Sequence, residues 1–263
     1  MGGDFFGWEY YYRLIYIMLQ NSSDLDRFIT TASWPLSGCD VMATFTSNIS
    51  IGTTTLYTVP TGKKAMVLGG TGWNSSGGNI VATWVYGVGG VDHRMSPDTT
   101  IGTLAQHVVT PQTAFLNAGD TVKITTTTNN GLNQWTKILE FDANSQVKSV
   151  FLEAPASGNN TLYTVPTGKK AIIGATGAGF ASAIVYFSNE SGAAKTFYCN
   201  LVPSGGAVAT TNQITGNITA NDEAINTSGN TNAVMAAGDF INVNLSAAAT
   251  ASLAWVNIFE TNA

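Results

Sequence analysis

The sequence is poor in charge. Only 10% of its 263 residues are Asp, Glu, Lys or Arg, the net charge is −5, and basic residues never run longer than two. Binding to a nucleic-acid backbone requires a basic face, so the composition argues against direct nucleic-acid binding. A surface of neutral polar groups suits a protein that packs against others, and it also occurs in ordinary extracellular β-proteins.

Residues that carry chemistry are also scarce. Cys39 and Cys199 are the two cysteines, and two distant cysteines form neither a metal signature nor a disulfide framework; we expect buried or half-buried thiols. His93 and His107 are too few for a histidine metal cluster. Nucleophile-elbow, phosphate-loop and zinc-protease motifs do not occur. The sequence predicts no enzyme activity, no cofactor and no metal.

A helical pattern is missing after residue 43, whereas glycine is abundant at 28 residues and hydrophobic residues make up 44%. Such a chain can fill a core, and many short strands joined by tight turns would produce this usage.

An internal repeat dominates the rest of the chain. The segment TLYTVPTGKKA occurs at 55–65 and is identical at 161–171, which indicates duplication of one domain. Three later matches support the repeat: Val85-Tyr86 with Val185-Tyr186, Ala118-Gly119-Asp120 with Ala237-Gly238-Asp239, and WTKILE at 135–140 with WVNIFE at 255–260.

The spacing of these matches predicts where the copies differ in length. Their offsets are 106, 100, 119 and 120 residues. By subtraction, the second copy loses about six residues before Tyr186 and gains about nineteen before Ala237. The gain predicts an enlarged loop at 210–232, and we expect that loop to contact a neighbouring subunit or another molecule.

Alternation marks strands in each copy. Val122 and Ile124 alternate with polar residues, and Ile80 to Val88 places Trp84 and Tyr86 on one apolar face; period-two alternation indicates a strand with one buried face. Pro60 should end the strand before it. Each Ala-Gly-Asp triplet should form a turn in which Asp bonds the local backbone.

These features predict an all-β fold of two tandem antiparallel β-sandwiches, jelly-roll-like, from an internal duplication. The first copy spans 43–142 and the second spans 149–263, each of the usual size for a sandwich. Residues 1–42 form a separate aromatic-rich arm.

The N-terminal segment has three interpretations. It holds nine of the 27 aromatic residues within residues 1–41. It is an arm that packs on a neighbouring subunit, a short helix over the first sandwich, or a start-site artefact with translation beginning at Met42. Its apolar part, 5–19, is too short to span a bilayer and contains Glu9 and Arg13, so no membrane association is expected.

Several other residues have a functional and a structural interpretation. Asp120 with Glu140, and Asp239 with Glu260, could act as paired carboxylates, but their recurrence with the repeat favours structural roles. Lys63-Lys64 and its copy at 169–170 favour solubility at a hairpin. Trp73 and Trp84 could stack on sugars, and core or interface packing is favoured.

The TLYTVPTGKKA segments and the later Ala-Gly-Asp turns resemble virion proteins of tailed bacteriophages, in which a Leu-Tyr-Thr-Val-Pro-x-Gly-Lys stretch opens a small β-sandwich. The resemblance covers about 44–263. Because the chain has no collagen-like or coiled-coil shaft, it is most similar to a capsid cement or decoration protein.

That resemblance implies a structural protein on the outer surface of the capsid. Its partner would be the major capsid protein, which it would contact at capsomer junctions, and the chain itself would form a homotrimer. The alternative is a tail or neck appendage that recognises a carbohydrate receptor. A cellular carbohydrate-binding module and a cupin-like enzyme are further alternatives, and the lack of paired histidines argues against the last. The candidate partner contacts are the aromatic residues of the arm and polar residues of the 210–232 loop: Phe5, Phe6, Trp8, Tyr10, Tyr11, Tyr12, Asn217, Asp222 and Glu223.

Overall fold

The structure is a computed structural model. It describes residues 39–109, 114–173, 185–190, 193–208, 218–220, 224–228, 233–248 and 252–263, all of which belong to one compact unit. Every regular element in these ranges is a β-strand, and all strand pairs are antiparallel. The all-β prediction is confirmed.

The first sandwich consists of two sheets built from the first copy of the repeat. One sheet has the order β1-β10-β3-β7, with β8 also beside β3, and the other has the order β2-β9-β4-β5, with β6 also beside β4. The strands are β1 (Cys39–Ile49), β2 (Gly52–Thr58), β3 (Lys63–Asn74), β4 (Ile80–Val88), β5 (Val91–Arg94), β6 (Thr99–Ile101), β7 (Gln106–Val109), β8 (Phe115–Asn117), β9 (Thr121–Thr126) and β10 (Leu132–Asp142).

The second sandwich repeats this arrangement. One sheet has the order β17-β14-β20-β13-β18, with β11 also beside β20, and the other has the order β12-β19-β15-β16. The strands are β11 (Val147–Glu153), β12 (Gly158–Thr164), β13 (Lys169–Ile173), β14 (Val185–Asn189), β15 (Lys195–Val202), β16 (Ile218–Ala220), β17 (Ala224–Ser228), β18 (Ala233–Met235), β19 (Phe240–Leu245) and β20 (Leu253–Asn262).

Both sandwiches are jelly rolls. The strands of each copy are lettered B to I along the chain. In the first copy B is β1, C is β2, E is β4, F is β5 with β6, H is β9 and I is β10; in the second B is β11, C is β12, E is β15, F is β16, H is β19 and I is β20. They pair as B-I-D-G in one sheet and C-H-E-F in the other, which is the eight-strand order of that fold. We call the two sheets of each copy the BIDG sheet and the CHEF sheet. Strand D is one strand, β3, in the first copy and two, β13 and β14, in the second, and strand G is β7 with β8, or β17 with β18.

The turns form as the sequence predicts. β2 ends at Thr58, just before Pro60. Asp120 Oδ2 accepts from the Asn117 backbone N–H at 2.8 Å, and its Oδ1 accepts from Gly89 N–H at 3.1 Å. Asp239 repeats both bonds, with Ala236 N–H at 2.8 Å and Ser204 N–H at 2.9 Å. The turn aspartates therefore fasten two turns of each jelly roll to one another.

One of the four repeat matches is wrong. Tyr86 lies on β4 in a CHEF sheet, whereas Tyr186 lies on β14 in a BIDG sheet, so the two Val-Tyr pairs are not equivalent. Strand pairing gives the true register. Val67 pairs with Ile138, and Ile173 pairs with Ile258. The two isoleucines hold the same position in the last strands of their copies, so Val67 and Ile173 are equivalent, with an offset of 106.

Beyond that point the offset rises. Trp73 pairs with Asn133 and Ser188 pairs with Leu253, which makes the offset 115. The second copy therefore has nine more residues between Ile173 and Val185, at a point that lies within β3 of the first copy, and shows no net loss before Tyr186. The predicted enlargement at 210–232 is wrong, because only four further residues are gained before Asp239. The described residues of that stretch lie in β16 and β17 rather than in an open loop.

Candidate interaction surface

Polar side chains that recur in both copies are engaged inside the fold. Tyr57 donates a short hydrogen bond from its hydroxyl to Glu140, and Tyr163 donates to Glu260 Oε2 at 2.8 Å. Each bond joins the CHEF sheet to the BIDG sheet of its own sandwich. Burial, together with the neighbouring carboxylate, raises the pKa of both tyrosines. The glutamates of the two candidate carboxylate pairs therefore connect sheets and their aspartates bond turns, so the structural interpretation is confirmed.

The second repeated polar residue is a buried asparagine at the end of strand D. The Asn74 side chain is fully buried; its Nδ2 donates to the carbonyls of Gly78, Ile101 and Gly102 at 2.9–3.0 Å. Its Oδ1 accepts from the N–H of Ser76 at 2.8 Å. Asn189, also buried, donates to the Ala193 carbonyl at 2.9 Å. Sequence reasoning missed this pair because the wrong Val-Tyr match hid their equivalence.

The repeated lysines do more than keep a hairpin soluble. Lys63 forms an ion pair with Asp142 at 2.9 Å. Lys64 is partly buried and donates from Nζ to the carbonyls of Ser145 and Val147 at 2.7 and 3.1 Å. Burial and the charge of Lys148 lower the pKa of Lys64. The solubility interpretation is corrected for this residue, because it holds the segment that connects the two sandwiches.

Glu260 should make the stability of the second sandwich depend on pH. Its partial burial would raise its pKa, but hydrogen bonds from Lys148, at 2.6 Å, and from Tyr163 outweigh burial and lower it. A lowered carboxyl pKa adds stability above about pH 4.5 that is lost as the pH falls through the folded-state pKa. We expect Glu260→Gln to lower the free energy of unfolding at pH 7, and to change it much less at pH 3.

Urea denaturation at the two pH values checks this expectation. The matched control is Asp142→Asn, which removes the exposed partner of Lys63 and should change the free energy of unfolding by less than about 1 kcal/mol at either pH. Equal losses from Glu260→Gln at pH 7 and pH 3 would show that the lysine contact adds nothing.

The sequence-predicted contact residues fall outside the part of the chain that the structure describes. They are Phe5, Phe6, Trp8, Tyr10, Tyr11, Tyr12, Asn217, Asp222 and Glu223. Their role stays a prediction. The side chains of Cys39 and His107 are likewise outside the described part. Cys199 is buried in the second sandwich, and burial raises the pKa of its thiol to about 12.

In the described ranges, no three His, Cys, Asp or Glu side chains are grouped so that they could hold a metal ion. A search of the same ranges found no helix with the length and apolar character needed to cross a membrane.

The two candidate tryptophans differ in exposure. Trp84 lies in the core of the first sandwich and is buried, so the stacking interpretation is wrong for it and core packing is confirmed. Trp73 is 40% exposed. It lies on the outer face of the first BIDG sheet, where Trp135 and Phe45 are 46% and 52% exposed. The Phe45 and Trp135 rings contact one another, with centroids 4.3 Å apart.

We call this surface of Phe45, Trp73 and Trp135 the aromatic face. Alternate residues of β10, such as Gln134 and Thr136, are buried and point inward, so the three aromatic rings project outward from the sheet. Exposed apolar patches on a protein surface are often sites of contact with another molecule. The aromatic face is therefore the candidate functional surface of the described residues.

The second sandwich buries its own version of this face. Tyr186, Leu253 and Trp255 are fully buried and belong to the hydrophobic core cluster of the first sandwich, with Phe151 packed against it. The Tyr186 and Trp255 rings stack with centroids 5.0 Å apart and planes 9° apart. Ala254, which alternates with these side chains, belongs to the core of the second sandwich. Thus the outer BIDG face of copy two packs on copy one.

The receiving surface on copy one is the edge formed by its strands F and G, here β5 and β8. Three polar contacts define it: Arg94 N–H donates to Glu190 Oε1 at 2.9 Å, Phe115 N–H donates to Ser149 Oγ at 2.7 Å, and His93 Nε2 lies 3.6 Å from Glu153 Oε1. We call this region the F–G edge. The two sandwiches are therefore joined head to tail, face on edge, by apolar packing with a polar border.

Comparisons with known proteins give fold-level similarity only. No family model and no curated protein matches the chain. A chain in the atomic structure of Sulfolobus turreted icosahedral virus is 12% identical, with 86% of this chain and 60% of that chain covered, at a TM-score of 0.27. A chain from an archaeal virus with a triple jelly roll fold and turret assembly is 11% identical, with 86% and 60% covered, at 0.26.

A non-viral chain aligns equally well. The tandem CBM22 domains of Paenibacillus barcinonensis Xyn10C are 7% identical, with 87% of this chain and 94% of that chain covered, at a TM-score of 0.26. The present chain spans 60% of the length of the two viral chains. At these scores the similarities carry no functional argument.

Proposed function

We propose that the chain is a structural virion protein that binds the assembled head of a tailed phage as a cement or decoration protein. The observation that carries the proposal is where the polar and the apolar side chains lie. Repeated polar side chains, Tyr57 and Glu140 among them, are bonded within the fold, whereas the aromatic face is exposed on the outside of a sheet. Such a surface is suited to packing rather than to catalysis.

The sequence supports the same proposal. The TLYTVPTGKKA segments at 55–65 and 161–171 resemble the opening stretch of phage virion sandwiches. In the fold these segments supply the tyrosines that join the sheets and the lysines that bond the last strand and the connecting segment. The residues that carry the resemblance are therefore residues that build the jelly roll. From the same resemblance, the site of action is expected to be the outer surface of the capsid.

The mechanism is mechanical. A protein that binds the assembled shell, at junctions of the major capsid protein, but not free subunits, stabilises the shell by mass action. At a free concentration of one hundred times Kd the gain is about 2.7 kcal/mol per site.

Particles that lack the protein test this mechanism. We expect them to release their genome at a lower temperature than complete particles, and to recover when the full chain is added in excess. Serum albumin at the same concentration is the control for non-specific protection. Equal release temperatures with and without the chain would contradict a cement function.

A second candidate, a tail or neck appendage that recognises a carbohydrate, is favoured by one observation. Trp73 and Trp135 are exposed on the same sheet face, and exposed aromatic rings are suited to stacking on sugar rings. Titration with a panel of host surface glycans tests it. Binding that is lost in Trp73→Ala and kept in Ile51→Ala, an exposed residue at the turn from β1 to β2, would favour this candidate over cement.

A further inference from the structure

Each sandwich has an outer BIDG face and an F–G edge, and the contact within the chain uses one surface of each copy. The outer BIDG face of copy two is buried on the F–G edge of copy one. The remaining pair is the outer BIDG face of copy one and the F–G edge of copy two. Because the copies arose by duplication, an interface that works between them can be repeated between chains.

The unused face shares two central aromatic positions with the used face. Phe45 and Trp135 pair across β1 and β10, as Phe151 and Trp255 pair across β11 and β20. Trp135 is 46% exposed, whereas Trp255 is 0% exposed. The neighbouring positions differ, because Thr71, Asn133 and Trp73 stand where the used face has Tyr186, Leu253 and Ser188.

The unused edge shows the complementary difference. Phe115 pairs with Met66 on β8, and Val234 pairs with Ile172 on β18, so Val234 is the counterpart of Phe115. Phe115 is 3% exposed beneath the second sandwich, whereas Val234 is 70% exposed. An exposed valine on an edge strand is an apolar group without cover at the place where copy one receives its neighbour.

The border of the unused face lacks the charges of the used face. Glu153 and Glu190 lie on the used face, and Ser47 and Ser75 take their places on the unused face, two residues after Phe45 and two after Trp73 respectively.

The second interface would therefore lack both carboxylates at its border. The Glu153 side chain is 48% exposed in the used interface, so its absence removes little buried charge, and the exposed apolar groups carry the argument.

From these observations we propose that the aromatic face of one chain binds the F–G edge of the second sandwich, at Val234, in another copy of this chain. The contact is heterologous, so repetition gives a closed ring if the rotation per sandwich closes and an open fibre if it does not. A ring of three chains, the number expected from the sequence resemblance, contains six sandwiches in one continuous head-to-tail series. The proposal does not depend on the virion function.

The test uses the full chain and two variants, each changed at exposed side chains so that folding is preserved. Phe45→Asp with Trp135→Asp disables the aromatic face, and Val234→Asp disables the edge. We expect the wild type to form oligomers in sedimentation velocity and native mass spectrometry. Each variant alone should be monomeric, with self-association weakened by at least about 30-fold. Ile51→Asp, at an exposed apolar residue outside both surfaces, should assemble like the wild type.

Mixing the two variants gives the decisive result. Each has one intact surface, so an equimolar mixture should form a dimer of one face-disabled chain and one edge-disabled chain, and nothing larger. A monomeric wild type, or variants that assemble like the wild type, would overturn the proposal. An edge-disabled chain that still dimerises alone would overturn it in favour of face-to-face pairing. Particle labelling is a separate readout, so failure of the virion function would leave these results unaffected.

Discussion

Replacement of Trp255 by alanine is expected to lower the free energy of unfolding by about 3–5 kcal/mol, the usual cost of removing a fully buried large aromatic side chain. Trp255 is 0% exposed, it stacks on Tyr186, and it belongs to the core cluster of the first sandwich. The substitution therefore leaves a cavity between the two jelly rolls. Urea denaturation followed by circular dichroism measures the effect.

The repeat supplies the matched control for this prediction. Trp135 occupies the equivalent position of the first copy, with the same strand pairing, but it is 46% exposed. Trp135→Ala should cost less than about 1 kcal/mol in the monomer, because little buried contact is lost. Two differences distinguish the positions: Trp255 is covered by the first sandwich and stacks on Tyr186, whereas Thr71 stands beside Trp135. Comparable losses from the two substitutions would contradict the head-to-tail packing of the sandwiches.

Replacement of Asn74 by aspartate is expected to cost at least about 3 kcal/mol. The change keeps the shape of the side chain but removes the amide that donates to the Gly78, Ile101 and Gly102 carbonyls. Gly78 O still accepts from Ser76 Oγ and Gly102 O from Ala105 N–H, but the new carboxylate would lie against all three carbonyl oxygens. A buried neutral group without a partner costs about 1–3 kcal/mol, and a charged one costs more. The midpoint of thermal unfolding, with calorimetry for the enthalpy, measures the loss.

Asn129→Asp is the control for Asn74→Asp. Asn129 lies in the same sandwich and donates a single exposed hydrogen bond, to the Asn79 carbonyl at 2.8 Å. We expect a change of less than about 1 kcal/mol there. A small effect at Asn74 as well would mean that water replaces the amide and that the loops after β3 and β6 do not depend on it.

The repeat made much of the fold predictable. Identity over 55–65 and 161–171 placed both copies, and Pro60 marked a strand end, because proline lacks the N–H that a central ladder needs. The aspartates at 120 and 239 were predicted to bond the backbone and do so. These features are local, so the residues that form them are adjacent in the sequence and can be recognised there.

The register between the copies could not be derived in the same way. Val85-Tyr86 and Val185-Tyr186 are alike because inward-facing residues of any central strand are apolar, and a two-residue match cannot tell strand E from strand D. Only the pairing of Tyr186 with Trp255 showed that they differ. The length change falls at a point that lies within β3 of the first copy, where a sequence comparison that expects insertions in loops does not look for it.

The sequence pointed to only one residue of the aromatic face. Trp73 was named as a possible stacking residue, with core or interface packing favoured, and Phe45 and Trp135 were not named. These two residues are distant from Trp73 in the sequence and join it only through strand pairing across β1, β10 and β3. Trp135 and Trp255 stand in matching segments, so these segments do not show that the exposure of the two side chains differs. Packing on the first sandwich and the stacked Tyr186 ring bury Trp255, whereas Thr71 stands beside Trp135, which is exposed.

The most direct test of the proposed function is the position of the protein on virus particles. An antibody raised against the folded chain, visualised with gold on intact phage from the source culture, should label the head densely and regularly if the chain is a capsid cement protein. Label confined to the tail or neck would replace cement with the receptor-binding candidate. No label on any particle would contradict a structural role in the virion.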